Sequence, residues 1–103
     1  MNIYDIFPPK QGEIFTSLYE KNGVLIEQIV SSDVLEKKIY QQPYDEWLVL
    51  LEGEATLCVG KKNIYLQKGD TFLIEKNLSH EVLSTKSGTL WLCVHMKGES
   101  FVS

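Results

Sequence analysis

No stretch of this chain holds apolar residues at the i, i+3, i+4, i+7 spacing of an amphipathic helix over the ~12 residues that make such a pattern convincing. Short β-branched and aromatic runs recur instead, separated by turn residues. That pattern restricts the chain to an all-β barrel or sandwich. The expected strands are Ile14–Tyr19, Val24–Val30, Leu35–Tyr40, Glu46–Leu51, Glu54–Val59, Asn63–Leu66, Thr71–Ile74, His80–Ser84 and Thr89–His95. Asn22-Gly23 suits a tight hairpin turn, whose central residues need positive φ. Gly53, between two runs, supplies the same freedom. Gly60-Lys61-Lys62 and Lys68-Gly69-Asp70 mark two further turns. Pro8-Pro9 closes an N-terminal arm, residues 1–13, with room for one helical turn around Asn2–Phe7.

The 103 residues suit one domain, since domains commonly run to about 100–150 residues, and 1–103 is read as a single β-barrel. A chain this size buries roughly 65% of its unfolded surface, enough for a core without metal or disulfide staples. All ten basic residues are lysine and the net charge is −4. Nucleic acid is therefore not an expected partner, because neutralising phosphates needs a basic patch. Without arginine, bidentate clamps on phosphate or carboxylate ligands are excluded. Met1 to Pro9 lack the basic and apolar regions of a signal peptide. The longest apolar run, Trp47–Leu51, is far short of the ~18 residues of a spanning helix. A cytoplasmic protein with no membrane partner is expected. Cys58 and Cys93, each alone in an apolar run, read as two buried reduced thiols.

Alternation assigns faces. Glu46, Leu48 and Leu50 share one face of their run, and Trp47, Val49 and Leu51 share the other. Leu90, Leu92 and Val94 similarly oppose Trp91, Cys93 and His95. Neither run has a plainly solvated face, so a second covering surface is expected, and a homodimer supplies it most economically.

The segment Gln41-Gln42-Pro43-Tyr44-Asp45-Glu46-Trp47-Leu48-Val49-Leu50-Leu51-Glu52-Gly53 is followed by Gly69-Asp70-Thr71-Phe72-Leu73-Ile74-Glu75-Lys76-Asn77-Leu78-Ser79-His80. Together they resemble the two motifs of the cupin family. The first is G-x5-H-x-H-x3/4-E-x6-G, whose E-x6-G end is matched by Glu46 and Gly53. The second is G-x5-P-x-G-x2-H-x3-N, in which Gly69 and His80 match. Glu75, Asn77 and Ser84 stand for the proline, second glycine and closing asparagine. Asparagine tolerates the left-handed conformation that a glycine position implies. The resemblance covers roughly Leu35 to Met96, with the motifs at about 41–84. It implies a small single-domain cupin-type β-barrel, a double-stranded β-helix or jelly roll.

In metal-binding cupins the two motif-one histidines, the glutamate and the motif-two histidine hold a divalent metal. Here the two histidine positions read Tyr40 and Gln42 with the shorter spacing, or Ile39 and Gln41 with the longer. The metal-ligand candidates are thus Glu46, His80 and Gln42, with His95 an additional imidazole if it points inward. A zinc site takes at least three protein ligands, and an iron facial triad takes two histidines and a carboxylate. No tightly held cofactor is expected, with a weakly bound divalent metal as the alternative.

His80 reads first as a histidine hydrogen-bonded to Glu46 inside the barrel. Tyr40, Gln42, Tyr44, Glu46 and His80 would then line a pocket for a small-molecule ligand. Asp45 and Glu46 are not a catalytic pair, because adjacent strand residues face opposite ways, and Asp45 reads as a turn residue. Trp47 and Trp91 read as packing. No nucleophile–base pair or glycine-rich phosphate loop stands out. Three functions remain open: a small-molecule-binding or sensing barrel without a tight metal, a weakly metal-dependent enzyme of oxygenase, isomerase or decarboxylase type, or a filled barrel that serves as a structural or partner-binding module.

Overall fold

Residues 1–98 are described by the structure, a computed structural model, and among them nine strands and no helix form. The strands are β1 Glu13–Lys21, β2 Val24–Ser31, β3 Ile39–Tyr40, β4 Asp45–Glu52, β5 Glu54–Val59, β6 Lys62–Gln67, β7 Thr71–Ile74, β8 His80–Thr85 and β9 Thr89–Met96. They build two antiparallel sheets, a five-stranded one ordered β1-β2-β9-β4-β7 and a four-stranded one ordered β3-β8-β5-β6. The β1–β2 hairpin turns at Asn22 (φ 52°) and Gly23 (φ 78°), the two positive φ values a tight hairpin needs. The inner faces meet over Leu48, Leu50, Leu57, Leu66, Ile74 and Trp91. This is a compact all-β fold of two antiparallel sheets, the architecture the motif resemblance implies.

The expected run Leu35–Tyr40 is reduced to two residues, Ile39 and Tyr40, which pair with Glu81 and His80 of β8. The chain turns just upstream of the run. Ser32 accepts from the Val34 amide and donates to the Val34 carbonyl, and the Gly12 amide also bonds that carbonyl. Residues 35–38 pair with no strand, and pairing with β8 begins only at Ile39. The expected helical turn in the arm is a single turn in which the Asp5 amide bonds the Asn2 carbonyl at 3.0 Å. Asn2 Oδ1 accepts from the Tyr4 amide at 2.8 Å, but no helix follows. Asp45 opens β4 rather than lying in a turn, and its Oδ1 accepts from the Lys76 amide at 2.8 Å.

The arm lies on the outer face of the large sheet. Gln28 there donates to the Ile3 carbonyl at 2.8 Å, and Val30 and Leu90 beside it are buried. Farther along that face, register aligns Leu73, Trp47, Val94, Ile26 and Tyr19 in one row across all five strands. The chain leaves Trp47, Leu73 and Tyr19 exposed, so the surface expected over β4 is not supplied by the described residues. Of the two cysteines, Cys93 is buried as expected, whereas Cys58 is only half-buried and its thiol lies 3.6 Å from the Gly60 carbonyl. Among the described residues no helix is long and apolar enough to cross a membrane.

Candidate functional site

Strand register decides which side chains meet between the sheets. Cross-strand partners share a face. Ile74, Glu46, His95 and Leu25 therefore form one inward row, and Phe72, Leu48, Cys93 and Glu27 form the next. Leu50, Trp91, Ile29 and Phe15 form a third. From the opposite sheet, Tyr40, His80 and Val59 make a facing row. Leu48 and Leu50 fill the interior deep in the barrel. Toward the Glu46 row a cavity of about 340 Å³ remains open.

Tyr40, Gln42, Tyr44, Glu46 and His80 all line this cavity. Tyr40 faces inward and Ile39 is exposed, so the shorter motif spacing applies. Asn77 adopts φ 66°, the left-handed conformation its place in the second motif calls for. The expected His80–Glu46 hydrogen bond does not form. The His80 ring stacks on Tyr40 with centroids 5.8 Å apart, and its Nδ1 lies 3.3 Å from the Leu78 carbonyl. The partners of Glu46 Oε1 are instead Gln42, which donates from Nε2 at 2.9 Å, and His95, whose Nδ1 lies at 3.7 Å.

His95 is thus the inward imidazole. Its Nε2 lies 3.0 Å from Glu27 Oε1, while its Nδ1 is buried with no hydrogen-bond partner. Tyr44 meets the same ring edge-on at 5.7 Å. The arrangement Glu27–His95–Glu46 was hidden in sequence because it joins β2, β9 and β4. One signal was available: Glu27 interrupts the apolar face of Leu25 and Ile29.

Burial disfavours charging His95, but the hydrogen bond to Glu27 and the charges of Glu46 and Glu27 outweigh it, against a small opposition from Lys97. The net result is a pKa above the ordinary value of 6.5. Burial, with the charges of Glu46 and Glu27, pushes the Tyr44 hydroxyl up, and burial followed by Glu13, Glu36 and Glu27 does the same for Tyr40. Burial and the neighbouring Glu46 push the Cys93 thiol up strongly. A raised histidine pKa stabilises the fold fully below the unfolded value near 6.5, and that contribution fades as pH rises through the folded value. The expected result is that the denaturation midpoint of the parent exceeds that of His95→Gln most at pH 5.5–6 and that the gap narrows by about pH 8.5. A gap that widens with pH would show that His95 is held neutral.

These side chains do not fit a tightly bound divalent metal. Glu46 is held by an amide N–H and faces a histidine, His80 stacks on Tyr40, and His95 turns Nε2 to Glu27. Among the described residues no group of three or more His, Cys, Asp or Glu is arranged to hold a metal ion.

No curated protein matches the chain. Solved structures do. A Ralstonia eutropha protein, provisionally named a mannose-6-phosphate isomerase, superposes with a TM-score of 0.85 at 27% identity, covering 95% of this chain and 97% of that one. A Streptococcus pyogenes protein of unknown function gives 0.84 at 15% identity over 97% and 88% of the two chains. The cupin domain of Schizosaccharomyces pombe Cnp3 gives 0.78 at 13% identity over 93% and 72%. These last two likenesses concern the fold alone. The cupin-domain family profile matches residues 35–95, the span that carries both motifs, β3 to β9 and most of the cavity wall, and so the chain belongs to the cupin family.

Proposed function

We propose that this chain binds a small organic molecule in the cavity between its sheets and works without a tightly held metal. The observation that carries this reading is the cavity itself. It is about 340 Å³, within the roughly 300–1,000 Å³ of small-molecule sites, and Leu25, Ile29 and Val82 set an apolar wall against a few convergent polar groups. An open cavity also speaks against a barrel that is merely filled. The polar groups bond chiefly to one another, which favours a preorganised binding wall over a metal donor set.

The second reading, a weakly metal-dependent enzyme, draws support from the provisional isomerase name of the Ralstonia relative. It is also helped by the approach of His95 to Glu46, which brings a second imidazole near the motif residues.

Elemental analysis of tag-free protein, with a thermal-shift screen of neutral, cationic and anionic small molecules, decides between them. The expected result is less than about 0.1 equivalent of zinc, iron, manganese or nickel. Added metals should leave Tm unchanged. A cavity ligand at about 100 times its Kd should stabilise by roughly 2.7 kcal/mol, or about 10–20 °C for a domain of this size. Near-stoichiometric metal that is lost in His80→Ala would sink the proposal and establish the enzyme reading's metal.

A further inference from the structure

The cavity wall is lopsided in charge. Glu13, Glu27 and Glu46 reach it from three different strands, and the one lysine among its described lining residues is Lys97. Lys97 offsets only part of that charge. Its Nζ stands 3.9 Å from Glu20, whose side chain is largely exposed, and 6.0 Å from the centre of the Tyr44 ring. The second rim tyrosine, Tyr40, likewise carries an ammonium over its face, that of Lys38 at 5.0 Å. The mouth thus already gathers the chain's own ammonium groups on its aromatic faces, the geometry of cation–π attraction.

A second, independent feature lies at the same place. The His95 side chain is only 10% exposed, and its Nδ1 is the one buried side-chain polar atom without a hydrogen-bond partner among the described residues. The contact of Nε2 with Glu27 keeps a proton on Nε2 in either state, so Nδ1 is the atom that changes with charge: it carries the second proton toward Glu46 in the charged ring and presents a lone pair in the neutral one. That lone pair lies 3.7 Å from Glu46 Oε1, too far to be satisfied by it and close enough for one donor to address both. A ligand ammonium seated there would take the place of the Nδ1 proton, its N–H then addressing both the freed lone pair and the carboxylate. A ligand carboxylate would instead meet Glu27 and Glu46 at short range. Burial is the first cause of the raised Tyr44 and Cys93 pKa values and opposes charging His95, and the charges of Glu46 and Glu27 push all three upward.

Resting on the reading of this cavity as a small-molecule site, we propose that its ligand is a small organic cation, a protonated amine on a short apolar body, with the ammonium held by Glu46 and Glu27. The apolar wall of Leu25, Ile29, Leu57 and Val82 would take the body. A bare ion would leave most of that volume unfilled, and the buried apolar surface is the larger source of affinity. Charge then decides which of several equally sized molecules is accepted.

Calorimetric titration of the full chain at pH 7.5 with n-hexylamine, 1-hexanol and hexanoate tests this with one body and three charges. The amine is expected to bind at least about tenfold more tightly than the alcohol, with the carboxylate weakest. Glu46→Gln and Glu27→Gln should each weaken the amine by about tenfold and the alcohol by clearly less, so that the preference for the amine shrinks. Preferred binding of hexanol or hexanoate would overturn the cation while leaving the binding barrel standing. Binding of none of the three would overturn it too, and the barrel reading would fall only if the wider thermal-shift screen were also blank. Binding of magnesium or zinc chloride alone, with the same sensitivity to Glu46→Gln, would overturn it in favour of an inorganic ion. Because the unmodified protein gives the charge ranking, a poorly folding variant does not blunt the test.

Discussion

Replacing Gly53 with alanine is expected to cost about 2–5 kcal/mol of stability, the sum of a left-handed backbone penalty and a steric one. Gly53 has φ +90°, where an L side chain is strained whatever the space around it. Space is also absent. A Cβ there would lie 2.7 Å from the Cα of Thr89 and closer still to its hydroxyl oxygen. Thr89 cannot yield cheaply. It is fully buried, and its Oγ1 sits 2.7 Å from the Lys86 carbonyl and 3.2 Å from that of Glu54. It also opens β9 beside the irregularity in the β4–β9 register between Leu50 and Glu52. A shift at Thr89 would therefore travel into the strand that carries Trp91, Cys93 and His95. Gly60→Ala is the control, since Gly60 has φ +62° but no heavy atom within 4 Å of the point an added Cβ would occupy. It should cost only about 1–2 kcal/mol for the left-handed conformation. Urea midpoints of the two variants separate strain from crowding. Equal losses would mean that Thr89 moves aside freely.

That closeness explains why Gly53 is legible in sequence as a turn but not as a packing point. Hairpins and turns depend on neighbours in the chain, and Asn22-Gly23, Gly60, Gly69 and Asn77 all adopt the positive φ their residue types favour. Strands are legible wherever alternation is strong, as in β4, whose Glu46, Leu48 and Leu50 face inward and are all buried. The length of β3 was less legible, because it is set by pairing with β8, which only Ile39 and Tyr40 make. The site was half legible. A motif placed Glu46 and His80 near one cavity, but hydrogen-bond partners follow from register across strands. The pairing of Glu46 with His95 requires β4 and β9 to be neighbours, and the approach of Glu27 to His95 requires β2 to lie on the other side of β9. A sequence carries those adjacencies only once the topology is known. The same reason hid the opposite result for His80, which lies in the other sheet and spends its ring on Tyr40.

Trp91→Ala is expected to cost about 3–5 kcal/mol, the range for removing a buried tryptophan side chain, and to lower Tm by roughly 15–30 °C. Trp91 stands where the core ends and the cavity begins. It is 3% exposed, packs with Leu50 and Leu57 in the core, and also lines the cavity. Its indole Nε1 donates to Ser31 Oγ at 2.9 Å, and the Ser31 hydroxyl donates in turn to the Glu13 carboxylate. This chain links the large sheet's β1, β2 and β9 beneath the cavity. It also offsets some of the burial that raises the Glu13 pKa, since the bond from Ser31 pulls the other way. Trp91→Phe keeps most of the apolar area but removes the donor and part of the indole's volume, so it should cost about 1–2 kcal/mol or somewhat more. The difference between the variants measures packing, and the loss in the phenylalanine variant sets an upper bound on the hydrogen bond. Circular dichroism is the proper probe, because Trp47 remains fluorescent in both variants and sits on the outer face. A loss below about 1 kcal/mol for alanine would mean that the indole is not packed as described. The cavity floor would then be open to solvent, and a ligand's apolar body would have no dry wall to rest against. A loss for phenylalanine as large as for alanine would instead assign the stability to the Trp91–Ser31–Glu13 chain, making the buried polar link, rather than the area it covers, what holds the site in shape.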